Sequence, residues 1–202
     1  MSSIDNSEKL RLLEAIYDKA TYASKIFVWL GGATLLVCAV LITFEVTTRK
    51  LFGFSMVGID EISGYVFSIT TALAFSYCVL NRNNIRIDAI YRFLDARFRV
   101  FLDIVGCLSL LIFVGFLVNG AFKALLESIT KGSISSTGLS VPIWIPQSLW
   151  VFGIAMLFSS LLLQLIFSLA LALRSDYEGV SRIAGIPSTN ELIKSETGKT
   201  PK

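Results

Sequence analysis

Four stretches of this chain, 26–44, 64–80, 100–119 and 149–173, carry a single charged residue between them, Asp103. A hydrocarbon core about 30 Å thick is crossed by roughly 20 apolar residues of helix. Only helices and closed barrels satisfy their own backbone hydrogen bonds there. The expectation is an all-α membrane protein of four transmembrane helices, with spans at about 26–51, 57–80, 98–127 and 147–173. A mean hydropathy of +0.70 agrees, being well above the value for a soluble domain of this length. The first span follows a segment rich in both charge signs, and no small-residue cleavage site follows it, so it is expected to stay as an anchor.

Basic residues orient the bundle. Lys9, Arg11, Lys19 and Lys25 precede span one, five arginines (82, 86, 92, 97 and 99) lie between spans two and three, and Arg174, Arg182, Lys194, Lys199 and Lys202 follow span four. Arg49, Lys50, Lys123 and Lys131 remain for the opposite side. The positive-inside rule then places both termini in the cytoplasm. This topology accounts for the formal charge of +3, so no nucleic-acid partner is implied.

The segments flanking the spans have their own patterns. In 1–25, Asp5 and Glu8 form a variant capping box, and Leu12, Leu13, Ile16, Tyr17 and Ala20 share one helical face opposite Arg11, Glu14 and Asp18. An amphipathic helix leading into span one is expected, lying in the headgroup layer or docking on a partner; both charge signs on its polar face favour the membrane surface. Between spans two and three, Ile87, Ile90, Tyr91, Leu94 and Phe98 recur at helical spacing and predict a second interfacial helix. Span three is expected to continue outward with Lys123 and Glu127 as an i, i+4 pair, followed by a Ser-, Thr-, Gly- and Pro-rich loop. Trp144 and Trp150 fit an interfacial aromatic belt. The tail 174–202 is polar and is expected to be disordered.

Few residues offer chemistry. The chain has no histidine, which removes bis-histidine haem, the H-E-x-x-H zinc site and a Ser-His-Asp triad. Cys38, Cys78 and Cys107 each lie in a different span and are expected to pack as small apolar residues. Gln164 in span four is expected as polar packing between helices. Asp103 is placed in the first turn of span three, solvated and favoured by the helix dipole. The densest polar region is the outer corner between spans one and two, where Glu45, Arg49, Lys50, Asp60 and Glu61 converge across a turn at Gly53. Glu45, Arg49, Asp60 and Glu61 are expected to form a structural or partner-facing ion-pair cluster, or else a plain interfacial rim. A metal there is disfavoured because Arg49 would compete for the carboxylates.

Taken together, R-x-x-F-G-x-S-x-x-G-x-D-E at Arg49–Glu61, I-R-I-D at Ile85–Asp88 and four spans with both ends inside resemble the small membrane subunit of tripartite ATP-independent periplasmic (TRAP) transporters. The likeness covers roughly residues 20–175. It implies that a soluble periplasmic protein captures an organic acid, of C4-dicarboxylate or sialic acid type, and that a large membrane subunit moves it inward with sodium. The small subunit would brace the large one, without catalysis and without a cofactor of its own, sodium coupling belonging to the partner. The interfacial loop motif would comprise Asn84, Arg86 and Asp88. Where the family commonly has histidine this chain has Asn84, so that position would form hydrogen bonds and not transfer protons.

The residues themselves agree with a bracing role, since the spans hold almost no ionisable group for a carboxylate or a coupling ion and no inverted repeat is evident. A stand-alone oligomeric four-span channel, with the outer charges as a selectivity ring, is the alternative. A quinone-linked anchor enzyme comes third, and the absence of histidine counts against it.

Overall fold

The computed structural model describes residues 2–54, 58–81 and 95–173. These form four helices: α1 (Ser2–Phe52), α2 (Ile59–Leu80), α3 (Ala96–Thr130) and α4 (Trp144–Ala172). Each is long and apolar enough to cross a membrane. Among the described residues the one β-type pairing is an isolated bridge between Ile134 and Pro142. Asn84, Arg86 and Asp88, most of the expected second interfacial helix and the tail after 173 lie outside the described residues.

α1 runs without a break through the expected boundary at residue 25, so the amphipathic segment and the first span are one 51-residue helix. At 1.5 Å per residue it is about 77 Å long, more than twice the thickness of a hydrocarbon core. It ends at Gly53, which takes φ +68° and donates its N–H to the Arg49 carbonyl at 3.1 Å. α3 ends in a Schellman motif: Gly132, at φ +59°, bonds Ile129 O, and Ser133 N–H bonds Ser128 O at 3.0 Å. Pro146 is the third residue of α4, inside the first turn, where an amide hydrogen would have no helical acceptor in any case.

The helices pack in the order α1, α2, α4, α3, with α2 and α3 both resting on α4. Small residues allow the closest approaches. A Cβ at Gly31 of α1 would lie 3.2 Å from Thr70 of α2, and one at Gly153 of α4 would lie 2.8 Å from the Ala72 Cβ. The main core joins Ala72 and Val79 of α2, Cys107 and Val114 of α3, and Ile154, Leu157 and Leu161 of α4. Cys107 Sγ stands 3.7 Å from the Leu161 carbonyl and is buried.

A second, smaller core, at the opposite end of the bundle from Gly53, joins Val100, Phe167 and Leu171 to Leu13 and Tyr17. Tyr17 donates its hydroxyl to Leu80 O at 2.5 Å and meets the Phe167 ring edge-on, with centroids 6.0 Å apart. Leu13 and Tyr17 therefore dock on their own bundle, while Leu12 and Ile16 of the same stripe remain exposed. The Tyr17 bond also satisfies a carbonyl in the last turn of α2, where no intrahelical donor is left.

Asp103 differs from its expected place. Because α3 begins at Ala96, Asp103 sits two turns inside the helix and is 2% exposed, buried and not solvated.

Candidate functional site

The corner between α1 and α2 is built from the end of α1, the start of α2 and the loop between α3 and α4. On α1, Arg49 Nε lies 3.7 Å from Glu45 Oε1, with the arginine half exposed and the carboxylate almost fully buried. Helical spacing brings the two together, and the guanidinium offsets part of the cost of burying Glu45.

Glu61 turns to other partners. Its Oε1 accepts the hydroxyl of Tyr65, one turn further along α2, and its Oε2 accepts the hydroxyl of Thr137 from the loop between α3 and α4. Asp60 is exposed, and its carbonyl accepts the Ser63 hydroxyl at 2.8 Å. The four expected charges thus divide into an α1 pair and an α2–loop junction.

The loop between α3 and α4 is itself ordered by short-range bonds. Ser135 N–H bonds Val141 O at 2.9 Å and Ile143 N–H bonds Ser133 O at 3.0 Å, closing the bridge around Ile134 and Pro142. Ser135 Oγ stands 2.9 Å from Thr137 Oγ1 and accepts the Thr137 N–H at 3.1 Å. This holds the Thr137 hydroxyl toward Glu61.

Leu139 then lies over Gly58, the residue that precedes α2. Gly58 has φ +92°, and a Cβ there would fall 2.1 Å from Leu139 Cδ1. The left-handed backbone favours glycine, and Leu139 would have to move to admit any side chain there. Gly53 provides only the first, because open space surrounds it.

Sequence reasoning named Glu45, Arg49, Asp60 and Glu61 but missed Gly58 as a contact point and Tyr65, Ser135, Thr137 and Leu139 altogether. Glu61 and Tyr65 at i, i+4 were legible as a pair; the loop partners were not, being more than 70 positions away. The Lys123–Glu127 pair is also replaced. Glu127 bonds Lys131 at the end of α3, the favoured order with the acid toward the N-terminus and the base nearer the negative end of the dipole.

Within the spans, hydroxyls are largely used locally. Thr34 and Thr43 of α1, Ser68 and Thr70 of α2, Ser109 of α3 and Ser159 and Ser160 of α4 all donate to the carbonyl four residues back. Gln164 is 3% exposed, on the same α4 face as Leu157, Leu161 and Leu165. Among the described residues, no three His, Cys, Asp or Glu side chains converge as a metal ion would need. What the corner can do is tie the start of α2 to the loop before α4 and present Asp60, Arg49 and the loop at the surface.

The family model for tripartite ATP-independent periplasmic transporters, DctQ component, matches residues 21–171. The chain belongs to the DctQ family. It is therefore a TRAP transporter small subunit, and all four helices fall within or overlap the match. No curated protein and no solved structure matches it. The corner of this DctQ chain, from Glu45 to Glu61 with the loop residues Ser135–Leu139, lies wholly inside the matched region.

Proposed function

We propose that this DctQ subunit braces the large transport subunit in the bacterial inner membrane, with both termini cytoplasmic, in a sodium-driven system that takes up an organic acid delivered by a periplasmic binding protein. The substrate is of C4-dicarboxylate or sialic acid type. The chain itself is non-enzymatic, needs no cofactor and leaves sodium coupling to its partner.

The observation that carries this is the uneven burial of the helices. The most apolar 18-residue window of α4 is 50% buried, whereas that of α1 is 6% buried. Trp29, Leu36, Val40 and Phe44 project from α1 with more than half of their surface exposed. An apolar face of this length suits contact with lipid and a larger membrane partner. The outer corner, lying next to the soluble compartment in this orientation, is the part of the chain available to the binding protein.

Co-expression with the neighbouring large subunit and affinity purification through the small one tests this. A one-to-one complex that takes up substrate in proteoliposomes only with the binding protein and a sodium gradient is the expected result. A homo-oligomer of the small subunit that conducts alone would overturn it. In a variant with Cys38, Cys78 and Cys107 replaced by Ala, labelling of Lys194→Cys from the cytoplasmic face only is expected from the proposed orientation.

A further inference from the structure

We propose that Tyr22, Lys25 and Trp29 of α1 form a site for the headgroup end of an anionic phospholipid. The three lie at i, i+3 and i+7 and so share one face of the helix. All are exposed, Tyr22 and Trp29 over more than two thirds of their surface. This face points away from Gly31, which lies against Thr70 of α2.

Depth decides what the face meets. Gly31 lies on Thr70 and Tyr17 reaches Leu80 O, so α1 and α2 run antiparallel. From Thr70 to Leu80 α2 rises about 15 Å, and the same distance back from Gly31 reaches Thr21. α2 therefore ends level with Thr21, and Lys25 stands about 6 Å inside that level. Helical side chains lean toward the N-terminus. The Lys25 ammonium thus reaches back past Tyr22 to the level at which Asn81 follows α2 and headgroups begin, while Trp29 stays one turn deeper, among acyl chains.

Charge selects the occupant. Among the described residues Lys25 has no ion-pair partner and the Tyr22 hydroxyl has no hydrogen bond. An ammonium at the edge of the hydrocarbon is costly to leave without a counter-charge, and the lipid phosphodiester is the anion present at that depth. Lys25 donates to one phosphate oxygen and Tyr22 to another, and the Trp29 indole packs on the first part of an acyl chain. Asp18 lies nearer the aqueous side, where the adjacent Lys19 offsets it, so the face is net positive. It therefore favours phosphatidylglycerol over a zwitterionic lipid. The proposal rests on the chain being embedded in a membrane and is independent of bracing and of which compartment holds the termini.

The test is quenching of Trp29 fluorescence in the full-length protein carrying Trp144→Phe and Trp150→Phe, which leaves Trp29 as the single tryptophan. The protein is reconstituted in phosphatidylcholine vesicles with brominated phosphatidylglycerol or brominated phosphatidylcholine at equal mole fraction. Phosphatidylglycerol is expected to associate about fivefold more strongly, the effect of one basic residue near a membrane surface. Lys25→Gln is expected to abolish this preference and Lys25→Arg to keep it. Equal quenching by the two lipids, or a preference that survives Lys25→Gln, would overturn the proposal. The same measurement on the complex with the large subunit separates the other occupant: a retained preference supports lipid, and its loss means that partner side chains hold Lys25 in place of lipid. If the two tryptophan replacements prevent folding, native mass spectrometry decides, with both lipids competing for the unaltered chain and for Lys25→Gln, and the same fivefold difference is expected.

Discussion

Gly153 and Ala72 set the crossing of α4 on α2. A Cβ on Gly153 would lie 2.8 Å from the Ala72 Cβ and 3.2 Å from both the Ala72 carbonyl carbon and the Leu73 nitrogen. Two of these three atoms are backbone, so no rotamer change relieves the clash. Where lipid is as apolar as the helix surface, such close backbone approach is a principal source of helix association.

Gly153→Ala is therefore expected to destabilise the bundle by about 1–3 kcal/mol, the usual cost of overpacking. Thermal unfolding in detergent, followed by the fluorescence of Trp150 and its neighbours, measures it. An unchanged transition would mean that α2 and α4 are free to separate.

Gly58→Ala is expected to cost about 1–3 kcal/mol from the left-handed backbone alone, with a further term from Leu139. Adding Leu139→Ala should recover the steric part only. Full recovery in the double variant would show that φ +92° is not imposed at Gly58.

Tyr17→Phe removes one hydrogen bond to Leu80 O and keeps the ring against Phe167. The expected loss is about 0.5–1.5 kcal/mol. It should appear as faster amide exchange in the segment around Tyr17 with little change near Gly31, because the two sites lie four turns apart.

Thr137→Val and Glu61→Gln are each expected to speed proteolysis within 131–143, and the double variant to be no faster than the quicker single one. Additive rates would mean that the two residues do not act through one hydrogen bond. If uptake falls while assembly with the large subunit is intact, the corner also contacts the soluble protein.

The four helices were legible because an apolar run of sufficient length has few alternatives in lipid, and the turn at Gly53 was legible from its glycine. The Glu45–Arg49 pair was legible too, since both residues lie one turn apart on one helix. Asp103 was misplaced because its turn was counted from Val100, where the apolar run begins, and the helix begins at Ala96. The partners of Glu61 were not visible at all, because nothing periodic links position 61 to position 137.

The sequence by itself determined how many helices form, where Gly53 ends the first and which residues avoid lipid, all consequences of backbone hydrogen bonding and transfer from water. Tertiary structure alone decided that α4 lies at the centre, that Tyr17 docks on Leu80, that Leu139 covers Gly58 and that α2 and α3 stand apart over a half-open groove. Those outcomes depend on which apolar faces meet. In a membrane every face is nearly equally apolar, so small differences in side-chain size choose among them.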